Sequence, residues 1–495
     1  MEGLIHEAEG KTLEFKRDLS SPRPWLKTLV AFANSAGGRL IFGVGNDRQV
    51  LGIESPLDEE ERLTNLIADS IAPRLVPNIE MTTVDGKTLL VVEVFLSGMR
   101  PHFIKSEGRE NGVYIRLGST NRQADAHLIA ELQRGVAGVS FDTLPMPELT
   151  LDNLDVKAIT KDFENRRTVD EPMLQNLRIL VKDQNRLVPS HGGVLLYGLD
   201  RRFHFDDAWI QCGRFIGNDK ADIFDHIDIE APLPQAVSEI MLFLRKHAMR
   251  GADFSGVQRK DLWSIPIKIL REVVINALVH ADYSQRGTPV RIAFFDNRIE
   301  VESPGLLLPG MTVEDMKLGV SQIRNPVIAR VFKELDLIEQ WGSGIPGIFR
   351  QVREENLPQP TIEELAARVR VTMPLSKILP LTREQSRKGE RHQTETPATP
   401  EVTPEVTPEV TPEIERMLLV LVGDMNRSEI MKALGLKDEK HFREHYQQAA
   451  IASGVIEMTI PDKPRSRLQK YRITKKGMEI IVAKRNTKLE KPADD

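Results

Sequence analysis

The chain has 495 residues, of which 40% are hydrophobic and 28% charged, with a net charge of −5. At roughly 150 residues per domain this argues for about three domains, and the composition excludes wholesale disorder, collagen-like repetition and a disulfide scaffold. Cys212 is the single cysteine, so no thiol bridge and no zinc or iron–sulfur site built from cysteines can form, and a reducing cytoplasm is the expected compartment.

In chain order, the N-terminal MEGLIHEAEG lacks the basic-then-apolar pattern of a signal segment. The longest apolar runs, LLVVEVFL near Leu89 and MLLVLV near Met417, fall short of the ~18–20 residues a membrane span requires, so no membrane role is expected. Hydrophobic periodicity predicts a helix over Pro24–Ser35, a buried strand over Gly38–Val44 and a partner strand over Val50–Ile53. A helix over Glu59–Ile71 and a strand over Leu89–Phe95 follow. A turn-rich boundary at Leu144–Pro147 precedes a second layer with helices at Pro234–His247 and Ile265–His280 and strands at Val290–Phe295 and Arg298–Glu302.

Between Thr394 and Pro412 the unit TPEV repeats. Proline at every fourth position removes backbone donors and restricts the preceding residue, so a semi-extended linker is expected. The domain plan is therefore residues 1–140, 141–375, a linker over 376–412 and a C-terminal module over 413–495.

The segments LEFKRDLS and LVAFANSAGGRLIFGVGNDRQVLGI resemble the Schlafen AlbA-type domain over roughly residues 5–130. The resemblance implies an α+β nucleic-acid-binding fold. It also implies, at positions matching the Schlafen nucleases, a metal-dependent site formed by Glu9, Glu14 and Asp47. Converging carboxylates are the oxygen ligands that Mg²⁺ or Mn²⁺ prefers, although two nearby glutamates in an acidic chain are more often a solvated surface. Asn34, Gly37 and Gly38 have a structural explanation as a helix end and turn. Lys16, Arg17, Lys27 and Arg39 are candidate phosphate contacts.

From Arg271 the chain reads REVVINALVHADYSQRGTPVRIAFFDNRIEVESPGLLLPG, followed by SQIRNP and IEQWGSGIPGI. These motifs resemble the divergent GHKL-type ATP-binding domain of helicase-related bacterial regulators, with a core at about residues 265–355. The resemblance implies an α/β sandwich that binds ATP and Mg²⁺. Glu272 would polarise water and Asn276 would hold the metal, and their i, i+4 spacing puts both on one helix face. Gly305, Gly342 and Gly344 would admit phosphates to backbone N–H groups. Ser321, Arg324 and Asn325 would form the lid, where an arginine could pair with a phosphate.

The usual adenine-binding aspartate is missing, and only Glu302 or Ser303 stands near its place. Nucleotide binding is expected ahead of efficient turnover. His280 and Asp282 follow the helix, and the helix dipole is the preferred account of His280. The two GKT tripeptides, at Gly10 and Gly86, have Ile5 and Met81 where a P-loop needs glycine, so no helicase motor is expected.

After the linker, the order of helices and a basic hairpin resembles a winged helix-turn-helix. Residues 413–495 hold 17 Lys and Arg against 13 Asp and Glu. Lys437, Lys440 and Arg443 would lie on the recognition helix, with Arg465, Arg467, Lys470 and Arg472 on the wing. Three readings result: an ATP-gated, DNA-binding transcriptional regulator acting as a homodimer or higher oligomer; an ATP-controlled metal-dependent nuclease acting on DNA or RNA; and a scaffold with a degenerate nucleotide site.

Overall fold

The computed structural model describes residues 2–253, 260–338 and 344–375, together with parts of 417–478. It divides into two units, residues 1–394 and 395–495. Both are mixtures of helices and sheets, and the chain is a multidomain α+β protein.

The first unit begins with a four-stranded sheet. Strand β1 (Leu13–Lys16) runs parallel to β2 (Gly38–Phe42), joined by helix α1 (Pro22–Asn34). Pro22 opens α1 at a position where a missing N–H costs nothing. Helix α2 (Pro56–Ser70) leads to a hairpin of β3 (Asn78–Val84) and β4 (Lys87–Val94), and the strand order is β1-β2-β4-β3. Alternation sorts β2: Leu40 and Phe42 pack with Trp25, Leu29 and Phe32 of α1, while Ile41 joins Leu13 and Phe15 on the other face. The strand expected at Val50–Ile53 is only an isolated bridge from Val44 to Val50. Both edges of β2 are already taken, by β1 and β4. A small hairpin, β5 (Tyr114–Leu117) with β6 (Thr120–Gln123), leads into helix α3 (Ala126–Val136).

Further along, helix α4 (His191–Tyr197) precedes β7 (Ile210–Ile216), β8 (Asp222–Ile229), α5 (Leu233–Ala248) and α6 (Ile267–His280). Then come β9 (Val290–Phe294), β10 (Arg298–Pro304), α7 (Val313–Leu318), α8 (Pro326–Glu334) and α9 (Gly344–Glu354). A hairpin of β11 (Thr361–Leu365) and β12 (Arg368–Pro374) follows. The six-stranded sheet runs β8-β7-β9-β10-β12-β11, with β7 and β9 parallel and its other pairings antiparallel.

Helix α6 is rich in Ile and Val, which have modest helix propensity. Tertiary burial overrides that preference: Ile269, Leu270, Val273, Val274 and Leu278 are all at most 1% exposed and pack with Ile292, Phe294, Ile299 and Val301 of the sheet. Fully burying such side chains contributes about 1.5–3 kcal/mol each.

In the second unit, helix α10 (Arg427–Leu434) and an antiparallel pair, β13 (Ile456–Met458) with β14 (Tyr471–Ile473), share a core of Met417, Ile430, Phe442 and Tyr471.

Candidate functional site

Helix α6 places three polar residues, Glu272, Asn276 and His280, in the wall of one cleft of about 150 Å³. Facing them are Val301 and Ser303 of β10, Val369 and Val371 of β12, and the loop after β10. The Asn276 amide donates to the Glu272 carbonyl (2.8 Å) and to its carboxylate Oε1 (2.9 Å), so the expected i, i+4 pair is engaged within the cleft wall. The first residue of α9, Gly344, lies directly against it: a Cβ there would come within 2.3 Å of Glu272 Oε1. The N-terminus of an 11-residue helix thus starts on the Glu272–Asn276 pair, and the N–H groups of a helix's first turn favour anions. Gly342 lies outside the described residues.

Gly305 holds φ at 98°, with its own N–H donating to Ala367 O (2.9 Å). A side chain there would be both strained and within 2.8 Å of Asp282 Cβ. Ser321 lines the cleft from an exposed segment. Arg324 also lines it, but its guanidinium is buried, ion-paired with Glu131 of α3 and bonded to Leu306 O. Burial pushes its pKa down to about 10, so it stays charged at neutral pH. Asn325 is buried, and its amide caps the end of α6 by donating to Val279 O (2.8 Å) and Ala281 O (2.7 Å).

Alternation along β10 separates the two candidates for the missing aspartate. Ser303 faces the cleft. Glu302 bonds Arg370 instead (2.6 and 2.9 Å), and although burial opposes ionisation, Arg370, Lys220 and Arg368 hold its carboxyl below the usual range. His280 ends α6 in the cleft wall, where burial pushes its pKa down to about 4. The i+4 step from Asn276 and the period-two step from Val301 are the sequence signals that put His280 and Ser303, both named from the sequence, on the cleft side. Asp282 is elsewhere: it lines a second cavity of about 330 Å³ and accepts from Ser284 N (3.1 Å) and Oγ (2.6 Å).

The loop after β10 has two faces. Leu306, Leu307, Leu308 and Met311 line the cleft. The same loop is fastened to the N-terminal layer: Gly310 N–H donates to Ser35 O (2.7 Å), and Leu306 packs against Val113, Ile115, Ala124 and Leu132. Leu307 N–H donates to Glu364 (2.8 Å), whose other oxygen holds Lys11 (2.6 Å).

The N-terminal acids have different surroundings. Glu9 Oε1 accepts the Phe15 N–H (2.9 Å). Glu14 is 7% exposed and ion-paired with both Lys16 and Arg116. Arg116 is also held by Gly10 O (3.0 Å) and Asn121 Oδ1 (2.9 Å). Asp47 closes its own turn by accepting from Gln49 N–H (3.1 Å). Among the described residues no group of three His, Cys, Asp or Glu side chains is placed to hold a metal ion, so Glu9, Glu14 and Asp47 do not form the expected cluster.

Asn34 is a buried cross-link, bonding His102 O and N and Tyr114 O. Of the four basic residues considered for phosphate, Lys16, Lys27 and Arg39 are paired with Glu14, Glu107 and Glu93, and Arg17 lies 4.0 Å from Asp18 on an exposed surface. In the second unit, Lys470 is exposed and Arg472 bonds Glu457 across β13 and β14 (2.6 Å). Lys437, Lys440, Arg443, Arg465 and Arg467 lie outside the described residues. No described helix is long and apolar enough to cross a membrane.

Three segments match known families. Residues 9–125 match "Schlafen, AlbA_2", residues 287–373 match "Putative ATP-dependent DNA helicase recG C-terminal", and residues 412–474 match "Filamentation induced by cAMP protein Fic-like, C-terminal domain". The third family is one that the sequence reading did not name. Among solved structures, the DIP2311 protein from Corynebacterium diphtheriae is 20% identical with a TM-score of 0.39, covering 76% of this chain and 79% of its own. The N-terminal domain of a RecG-related protein from Nitrosomonas europaea is 27% identical with a TM-score of 0.20, covering 25% of this chain and 89% of its own. A Fic family protein from Desulfovibrio desulfuricans is 13% identical with a TM-score of 0.13, covering 66% and 82%. No curated protein matches the chain. The chain therefore joins a Schlafen AlbA-type domain to a helicase-related ATPase-like domain.

Proposed function

We propose that the protein is a nucleotide-responsive, nucleic-acid-binding regulator, acting on DNA and assembling as a homodimer, in which ATP in the α6 cleft alters the hold of the AlbA-type domain on nucleic acid. The observation that carries this reading is the two-faced loop at residues 305–311. A ligand displacing Leu306–Leu308 or Met311 pulls on contacts to Ser35, Leu132 and, through Glu364, Lys11. Coupling between sites needs such a shared element, whose position both occupants bias.

In this reading Asn276 would hold Mg²⁺ bound with ATP, since its amide carbonyl oxygen suits that hard cation. The ion would screen the phosphate charge beside Glu272. Glu272 would orient water, Gly344 and the start of α9 would receive the terminal phosphates, and Ser321 would close over them. Transcription control is the expected use of a DNA grip set by a nucleotide.

The test is fluorescence anisotropy of labelled DNA and RNA duplexes and single strands, with and without ATP and Mg²⁺, at two salt concentrations. Expected are salt-sensitive binding and a severalfold change on adding ATP. Nucleic-acid affinity that ignores ATP would sink the gating, and equal affinity for DNA and RNA would sink the assignment to DNA. Metal-dependent cleavage abolished by Glu14→Gln would replace the regulator with a nuclease.

A further inference from the structure

Glu272, Asn276 and His280 recur at every fourth residue along the cleft face of α6. At ~1.5 Å rise per residue their backbones span about 12 Å. The Glu272 end meets the helix N-terminus at Gly344, which suits phosphate. The opposite end of α6 is tied to β10 by the Asp282 N–H on Pro304 O (2.8 Å). Ser303 precedes Pro304 on that strand, and Val301, Leu306 and Leu308 line the same cleft.

A phosphate has no cation waiting at that end. Arg324 is the one Lys or Arg lining the cleft among the described residues, and Glu131 and Leu306 O already hold its guanidinium. An uncharged planar heterocycle fits the apolar walls. His280 makes no hydrogen bond or ion pair with any described residue. Burial keeps its ring neutral, so it offers one N–H donor and one nitrogen acceptor.

We propose that His280 is the base-reading residue of the cleft, hydrogen-bonding the polar edge of a purine seated against Ser303, in the role left open by the missing aspartate. This rests on the nucleotide reading above. Glu302 cannot take that role, since it points to Arg370 on the other side of the sheet.

The experiment is calorimetric titration of the full chain with ATP, adenosine and inorganic tripolyphosphate, each with Mg²⁺. It compares the unaltered protein with His280→Leu, His280→Ala and His280→Gln. Loss of a hydrogen bond to a half-buried polar group in the cleft wall predicts ATP and adenosine weakened about tenfold in the Leu and Ala variants. Tripolyphosphate binding stays unchanged, which also reports an intact cleft. His280→Gln, keeping a donor and an acceptor, recovers most of the ATP affinity, and the unaltered protein binds ATP equally from pH 6 to 8.

Equal losses of ATP and tripolyphosphate would overturn the proposal by placing His280 at the phosphates, as would an affinity that falls over that pH range. ATP affinity unchanged in both His280→Leu and His280→Ala would remove the base contact while leaving the nucleotide site standing. If the unaltered chain binds none of the three probes, the nucleotide reading itself fails, and this one with it.

Discussion

Glu14 and Glu272 are both carboxylates that sequence motifs single out for chemistry, and their surroundings differ. Glu14 sits in the AlbA-type domain between Lys16 and the fully buried Arg116. Glu272 opens onto a cleft beside Asn276 and the start of a helix. A carboxylate held by two cations serves the fold, whereas one lining a cleft beside an amide and the start of a helix is placed to act on what enters. Motif spacing records neither circumstance, because Arg116 lies 102 residues from its partner.

The sharpest way to break the contrast is Glu14→Gln. If Glu14 serves the fold, the variant leaves Arg116 charged and buried without its partner, and denaturant unfolding should register a loss of about 3–5 kcal/mol. A stable variant that loses only an activity would reverse the assignment.

Asp142 supplies a third kind of acid, buried without an ion pair and accepting Val327 N–H (2.7 Å) and Ile328 N–H (3.2 Å) at the start of α8. Burial pushes its pKa up to about 7. The folded state therefore holds a proton that the unfolded chain releases near pH 4, and stability should decline as pH rises from about 4 to about 7, then level off. Asp142→Asn should flatten that decline, by on the order of 4 kcal/mol, in thermal melts across the range.

At the cleft, Gly344→Ala should drive a methyl group onto the Glu272 carboxylate and weaken ATP about tenfold in calorimetry, a change worth about 1.4 kcal/mol. Its melting profile should scarcely move. The smallest effect is expected at the exposed Arg472–Glu457 pair. If Arg472 touches phosphate, Arg472→Ala should lower the slope of log affinity against log salt by about 1 and leave folding unaltered.

Much of the fold is legible in the periodicity. The helix read at Ile265–His280 is Ile267–His280, and the strands at Val290–Phe295 and Arg298–Glu302 are Val290–Phe294 and Arg298–Pro304. The helix read from Glu59 begins at Pro56, because a proline in the first turn starts a helix without itself being part of an apolar stripe. Val50–Ile53 carries a strand-like pattern, yet sheet β2 offers it no free edge.

The candidate site divides the same way. Local order alone determined that Glu272 and Asn276 share a helix face, and the same arithmetic extends to His280, because a helix repeats on a fixed period whatever surrounds it. It equally determined that Ser303 and Glu302 point to opposite sides of a strand. Only the tertiary structure decided that Arg324 pairs with Glu131, that Glu14 pairs with Arg116, and that the loop at 305–311 is shared by two layers. Each of those outcomes depends on which distant charge or edge arrives at the same place, and burial then sets its electrostatic weight.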